Sequence, residues 1–393
     1  MWTWAPRPSF TCSSTIWPGG ASESWSFPRK WSSWSACASG SMSWLRAKLL
    51  ANSQATKSAR KPSCVSPSPS AGKPHDGCSK KSSVLLHRVL GQSTLLFFIV
   101  MLVAAHFLSD RFFTPDNITN ILRQSVPLGI VSIGLLFVIL TAGIDLAVGS
   151  LMALVSVVVA LCLPGLGLVG AVVVALAVGV GAGLVSGSLV ALFGIAPFIA
   201  TLAIMTIARG LALILSRGQP VFIDNETFMA VGSSALLGIP TLFYVLVGVT
   251  VLAALLARKT VFGRLVVAVG SNEVATRFAG ISIARIKIAV YGLSGLTCAI
   301  AGILSATRTG VGSPILALGF ELDAIAAVVV GGASLAGGRG TVLNTLIGAL
   351  ILSIISNLMN LMDIPGYHQQ VVKGVIIVLA VVLESAKRRL SAA

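Results

Sequence analysis

Four charged side chains stand out because they lie within or beside long apolar segments. Asp145 lies at a break between two such segments, Arg209 lies inside another, and Glu321 and Asp323 open a further one. A carboxylate at the centre of a bilayer costs about 2.5–3.5 kcal/mol, so Asp145 needs partners. It can cap the following helix by accepting N–H groups of Leu146 to Val148. A role in a transport pathway or gate, or in proton coupling, remains open.

The other charged groups also admit structural readings. Glu321 and Asp323 follow Gly319 directly, and acidic residues in the first turn of a helix interact favourably with its dipole. We therefore expect them to stabilise a helix N-terminus. The side chain of Arg209 can reach a membrane interface along its apolar stem, or it can meet a substrate or a carboxylate.

The sequence offers no catalytic constellation. Its apolar segments contain no set of His, Asp and Ser residues, no zinc-protease motif and no phosphate-binding loop. The histidines His75, His87, His106 and His368 are too scattered for a metal site. We expect neither an enzyme nor a cofactor-binding chain, so any ATP–Mg that drives the protein must bind to a partner.

Composition predicts an all-α integral membrane protein. Hydrophobic residues make up 55% of the chain and charged residues 10%, with a mean hydropathy of +0.93. A soluble domain carries about 25% charged residues. With roughly 20 apolar residues needed per crossing, the pattern predicts about ten spans in a transmembrane domain over 90–386. These lie near 93–108, 126–143, 147–163, 166–193, 197–215, 236–257, 288–306, 321–337, 342–361 and 371–384.

Basic residues predict how the spans are oriented. The loop 258–287 holds six Lys or Arg residues against Glu273 alone, and the tail carries Lys387, Arg388 and Arg389. Lysine and arginine accumulate on the cytoplasmic side. Both termini are therefore expected in the cytoplasm, with 216–235 outside. The net charge of +16 is not arranged as a basic face with interleaved aromatic residues, so no nucleic-acid partner is expected.

The first 80 residues differ from the rest of the chain. All seven Trp residues lie between Trp2 and Trp44, among many serines, without a helical or strand period. We interpret 1–80 as a disordered or non-native extension. A start codon assigned too early, within an upstream gene read in another frame, would explain its composition.

The basic loop contains a candidate docking helix. Ser271 can cap the N-terminus of this helix and Gly280 can end it. Its apolar face holds Val274, Ala275, Phe278 and Ala279. Such a helix can dock into a groove of a soluble partner and transmit that partner's motion. The alternative is a helix that lies flat on the membrane surface.

Three separate runs resemble the ribose-type, binding-protein-dependent sugar ABC transporter permeases. They are Val138–Ser150 with Ala142 where the family often has glycine, Gly263–Ile281, and Val330–Thr341. The resemblance covers about 90–385. It implies an ATPase-coupling loop at Gly270, Ser271, Asn272, Glu273, Ala275, Ala279, Gly280 and Ile281. The residues we assign to the pathway or to a structural motif are Thr141, Gly143, Asp145, Gly149, Arg209, Gly331 and Gly332.

The resemblance implies a permease subunit that imports a monosaccharide across the bacterial inner membrane. Its expected partners are an ABC ATP-binding subunit, an extracytoplasmic sugar-binding protein, a second permease copy and the lipid bilayer. Two other functions stay open. One is a proton-coupled secondary transporter of a small polar solute that uses Asp145, Glu321 and Asp323. The other is a structural or sensory membrane subunit that transports nothing.

Overall fold

The chain folds as a set of helices with very little sheet. The structure, a computed structural model, describes residues 93–392, so the expectation for 1–80 lies outside the described residues. The described helices are α1 (Ser93–Leu108), α2 (Pro115–Leu140), α3 (Val148–Ala191), α4 (Pro197–Leu215), α5 (Glu226–Ser233), α6 (Thr241–Lys259), α7 (Val261–Ser271), α8 (Glu273–Phe278), α9 (Ile283–Thr309), α10 (Phe320–Val330), α11 (Val342–Leu361) and α12 (Gly366–Ala392).

Short antiparallel strand pairs brace the loops between these helices. They are β1 (Val221–Phe222) with β4 (Val311–Gly312), and β2 (Ala235–Leu236) with β3 (Ile239–Pro240). The first pair joins the loop after α4 to the loop after α9. Each strand is only two residues long, so the helices determine the fold.

Within the described residues, six helices are long and apolar enough to cross a membrane. They are α2, α3, α4, α6, α9 and α11. An α-helix rises 1.5 Å per residue, so about 20 apolar residues span the hydrocarbon layer. The expectation of an all-α protein that crosses the membrane several times is confirmed at this level.

Helix α3 is a hairpin of two arms. Its 44 residues contain Pro164, and Gly167 takes a non-helical φ of 65° and ψ of −177°. The first arm runs parallel to α9 and contacts it where Met152 packs against Gly302. The second arm runs back along α9 in the opposite direction. These arms correspond to the separate spans predicted at 147–163 and 166–193.

Two of the other predicted spans have bounds that differ near the candidate site. Helix α2 begins at Pro115 rather than 126, because proline suits the first turn and the polar residues that follow carry little hydropathy. Helix α10 ends at Val330, although the predicted span ran to 337. The apolar composition continues past Val330, but Gly332 (φ 83°) and Gly337 (φ 87°) turn the backbone into a loop.

The buried core of the bundle lies along α2, the first arm of α3 and α9, and glycines bring the second arm of α3 against α9 as well. Gly179, Gly183 and Gly187 lie one helical turn apart on one face of α3. A Cβ atom on any of them would overlap the backbone or a side chain of α9. Small residues allow this close approach, which drives helix association in lipid.

Candidate functional site

The break between α2 and α3 is built around a buried carboxylate. Asp145 is 2% exposed. Its Oδ1 accepts the N–H of Ala147 at 3.0 Å, and its Oδ2 accepts the hydroxyl of Ser294, on α9, at 2.8 Å. The expected hydrogen bond to the next turn is therefore present at Ala147, which itself occupies the N-cap position. The bond to Ser294 also ties the break to the middle of α9.

The backbone of the break is tightly constrained. Thr141 ends α2, and its hydroxyl donates to the carbonyl of Val138 at 2.8 Å. Ala142 has a φ of 59°, a left-handed conformation that glycine adopts with less strain. A Cβ on Gly143 would lie 2.8 Å from the hydroxyl of Tyr291, and this hydroxyl donates to the carbonyl of Ile144 at 3.3 Å. This packing explains glycine at 143.

A second break in the helical structure lies between α9 and α10, close to the first break. A Cβ on Gly149, in the first turn of α3, would overlap the carbonyl oxygen of Ala317 and lie 2.8 Å from Oε2 of Glu321. Ala317 and Gly319 have φ values of 56° and 75°, which turn the chain into α10. The N-termini of α3 and α10 therefore meet, with the Glu321 carboxylate between them. Paired helix breaks of this kind are typical of transporter binding sites.

Arg209 holds this second break in place. Its Nη1 donates to the carbonyls of Pro314 at 2.7 Å and Leu316 at 2.9 Å. Its guanidinium group also interacts electrostatically with the carboxylate of Glu321. The structure thus places Arg209 against backbone carbonyls and near a carboxylate, rather than at a helix end.

The acidic residues of α10 lie in its first turn, as expected. Glu321 faces Gly149, whereas Asp323 forms an ion pair with Lys373 of α12, with Nζ and Oδ2 2.7 Å apart. Sequence reasoning missed this pairing, because fifty residues separate the partners. The hydrophobic stretch around Lys373 was the only signal that this lysine needs a counter-charge.

The basic loop contains two short helices, α7 and α8. The expected N-cap at Ser271 is wrong by one residue. Asn272 caps α8, and its Oδ1 accepts the N–H of Ala275 at 2.9 Å. Ser271 still belongs to α7, where its hydroxyl donates to Val267. The expected end is close to the observed one, since Ala279 is the C-cap and Gly280 follows with a φ of 77°.

One face of α8 is open. Phe278 is 88% exposed and Val274 is 64% exposed, and Ala275 and Ala279 are exposed beside them. Glu273 lies on a neighbouring face, where it pairs with Lys287 at 2.9 Å and Arg277 at 3.5 Å. Ile281 is half-buried where the chain enters α9. An exposed apolar face on a helix anchored by ion pairs suits docking to another protein.

The three runs singled out in the sequence meet in space at the C-terminal end of α2. A Cβ on Gly270 would overlap the carbonyl of Leu140, and the N–H of Gly338 donates to that same carbonyl at 2.9 Å. A Cβ on Gly337 would lie 2.9 Å from the carbonyl of Gly270. The basic loop 258–287 therefore touches both the end of α2 and the loop after α10.

Two further glycines shape the end of α10 in this region. Gly331 is the C-cap of α10, and its Cα packs against the backbone of Asn344 and Thr345 in α11. Gly332 follows with a φ of 83°. The structure thus brings the sequence-predicted residues into two connected groups, one at the paired breaks and one at the basic loop 258–287.

Sequence reasoning also missed a polar clamp and the partners of Asp145. Asn117 of α2 and Asn357 of α11 exchange two hydrogen bonds of 3.1 and 2.8 Å while buried. Ser294 and Tyr291 lie within the apolar run of α9 and resemble ordinary packing residues in the sequence. Only the three-dimensional contacts reveal them.

The fold and site define a permease-like membrane protein with paired helix breaks and a short helix whose apolar face is exposed. A family model described as "Branched-chain amino acid transport system / permease component" matches residues 117–381. The chain belongs to this permease family.

Individual relatives cover most of the chain. It is 42% identical over 312 residues to the ribose import permease protein RbsC of Escherichia coli K12, covering 76% of this chain and 95% of that protein. The RbsC protein of Bacillus subtilis is also 42% identical, over 76% of this chain and 93% of its own length. The L-arabinose transport system permease protein AraH of Escherichia coli K12 is 38% identical, with 79% and 95% covered. No solved structure matches the chain.

Proposed function

We propose that this chain is the permease subunit of an ATP-driven, binding-protein-dependent importer of a monosaccharide, a ribose-like pentose or a related sugar. The observation that carries the proposal is the contact of Gly270 with Leu140 and Gly338, because it connects the exposed helix α8 to the breaks. The names of the relatives, ribose and arabinose permeases, support a sugar as the substrate.

The proposed topology has ten crossings with both termini in the cytoplasm of a bacterium, in the inner membrane. The two arms of α3 support this count, as does the apolar α1, which is short for a crossing. The basic loop 258–287 then lies in the cytoplasm, where an ATP-binding subunit can reach α8. The breaks at Asp145 and Gly319 lie within the membrane domain.

In the proposed mechanism, the partner subunit binds ATP–Mg and moves α8. Because Gly270 packs directly on the end of α2, that motion reaches the α2–α3 break and the loop after α10. The paired breaks are then free to alternate between outward-open and inward-open arrangements. Binding of the partner shifts this two-state equilibrium only by the difference between the partner's affinities for the two states. A second permease copy completes the pathway, and a sugar-binding protein delivers the substrate from outside.

The proposal is tested through the exposed face of α8. We expect Phe278→Glu to abolish co-purification of the full chain with its ATP-binding subunit and to reduce sugar uptake at least tenfold. The reason is that a charge replaces the largest apolar contact on the docking face. Phe222→Glu is the matched control for co-purification, since Phe222 is 80% exposed on β1, outside the loop.

Other outcomes distinguish the competing functions. A complex that survives Phe278→Glu contradicts docking through this face. If no complex forms with the native chain and uptake responds to a protonophore, the proton-coupled transporter is the better assignment. A complex that forms without any sugar uptake favours the structural or sensory subunit.

A further inference from the structure

A pocket of about 540 Å³ lies beside α8, and the exposed residues Val274 and Phe278 do not line it. This open pocket is lined by the end of α3, the loop 194–196, the start of α4, the start of α9 and one face of α8. The pocket falls within the range of about 300–1,000 Å³ typical of small-molecule sites. Its position corresponds to the point where two membrane helices, α3 and α4, end and begin.

The two walls of the pocket differ in chemistry. One wall is apolar and consists of Val190, Ala191, Ile195 and Pro197. The other wall carries Arg277 and Lys287, both ion-paired with Glu273. One carboxylate faces two cations, at 3.5 and 2.9 Å, so the charged wall keeps a net positive charge.

From these two walls we infer that the pocket binds the phosphate headgroup of an anionic phospholipid of the cytoplasmic leaflet. Basic pockets between membrane helices on the cytoplasmic side recognise such headgroups. Arg277 and Lys287 supply N–H donors for phosphate oxygens. The exposed apolar residues Leu192 (65%) and Phe193 (74%), next to the apolar wall, provide a surface along which acyl chains can lie.

The lipid site and the partner-docking face occupy different sides of α8. Glu273 and Arg277 are one turn apart and line the pocket, whereas Val274 and Phe278 are rotated about 100° from them. A bound lipid would therefore fix the orientation of α8 without covering Phe278. This inference rests on the cytoplasmic placement of 258–287 in the proposed topology, and it is independent of the transported substrate.

The test is lipid binding to the purified full chain in a neutral detergent, without ATPase or sugar. Phosphatidylglycerol, phosphatidylcholine and inorganic phosphate are titrated separately, and bound lipid and thermal unfolding are measured. We expect phosphatidylglycerol alone to bind and to raise the unfolding temperature. Arg277→Gln with Lys287→Gln should weaken this binding by roughly tenfold or more, since each basic residue contributes about 1 kcal/mol toward an anionic lipid.

The matched control is Arg264→Gln with Arg285→Gln, which removes the same charge from the same loop outside the pocket. If both double variants lose phosphatidylglycerol binding equally, the attraction is non-specific and the proposed site is wrong. Equal stabilisation by inorganic phosphate means a soluble-anion site and overturns the lipid assignment. Unchanged lipid binding in the pocket variant also overturns the inference.

A single substitution covers the case in which the double variant does not fold. Glu273→Gln removes the carboxylate that competes for both cations, and we expect it to tighten phosphatidylglycerol binding several-fold. Weaker or unchanged binding in this variant contradicts the inference. Because no uptake is measured, failure here is distinct from failure of the proposed import function.

Discussion

Different contacts hold the helices together in two regions. We call the packing of Gly179 and Gly183 of α3 against α9 the seam. We call the contacts that position α10 the joint. In the seam, Gly179 and Gly183 bring two backbones into direct contact, with little polar chemistry. In the joint, Arg209 donates to two loop carbonyls and Asp323 pairs with Lys373. Close packing specifies one arrangement, because any shift creates overlap or a void. Polar contacts to a loop can exchange partners, so the joint is the region suited to movement.

The lengths of the helices agree with this division. Helix α9 continues without interruption for 27 residues along both arms of α3. Helix α10 has 11 residues, too few to cross a bilayer, and left-handed residues flank it on both sides. Broken helices inside a membrane domain are tolerated where they line a cavity or are buried in protein. The comparison therefore predicts rigid scaffolding in the seam and functional sensitivity in the joint.

The largest expected effect comes from filling the seam. A Cβ on Gly183 would overlap the carbonyl of Tyr291, so Gly183→Leu must separate α3 from α9. We expect loss of folded, monodisperse protein, with a destabilisation of about 3 kcal/mol, the upper end of the usual cost of overpacking. Size-exclusion chromatography and thermal unfolding in detergent measure this.

The same helix contains the matched control. Gly181 has nothing within 4 Å of a built Cβ, so Gly181→Leu makes the same chemical change in open space. It should fold and transport normally. Equal damage from both substitutions would attribute the effect to the helix itself and remove the basis for calling the seam rigid.

The break at Asp145 should respond less strongly. Asp145→Leu leaves the hydroxyl of Ser294 and the N–H of Ala147 without their partner. An unsatisfied buried polar group costs about 1–3 kcal/mol, so we expect a lower unfolding temperature and poor uptake. Asp145→Asn keeps the shape and can keep both hydrogen bonds. If Asp145→Asn folds normally but loses uptake, the charge itself is needed, which favours proton coupling over a structural role.

The sequence predicted the local features of this fold better than the contacts between distant residues. Pro164 and Gly165 interrupt an apolar run, which is why the two arms of α3 were predicted as separate spans. The short helix α8 was predicted almost at its observed position, with Asn272 replacing Ser271 as its cap, because adjacent Ser and Asn residues are equally good caps. In both cases the signal lies within a few residues of the chain.

Two features could not be predicted from signals within a few residues of the chain. They are the end of α10 and the contact between the three motifs. Hydropathy continues after Val330, so composition alone extends the helix that Gly332 terminates. Leu140, Gly270 and Gly338 are each separated by many tens of residues, and no periodicity links them. Their contacts depend on how whole helices pack. Proximity of this kind requires the tertiary structure.

The joint itself is tested most sharply at Arg209. Arg209→Gln removes the cation that holds the carbonyls of Pro314 and Leu316, so the segment leading into α10 loses its anchor. Because charged hydrogen bonds contribute about 1.5–3 kcal/mol, we expect a destabilisation of about 2 kcal/mol. Uptake should fall much further than stability, since the protein still folds but the second break is no longer positioned. Arg209→Lys keeps the charge and one donor direction, and it should recover part of the uptake. Uptake that falls only in proportion to folded protein would make this joint a scaffold like the seam.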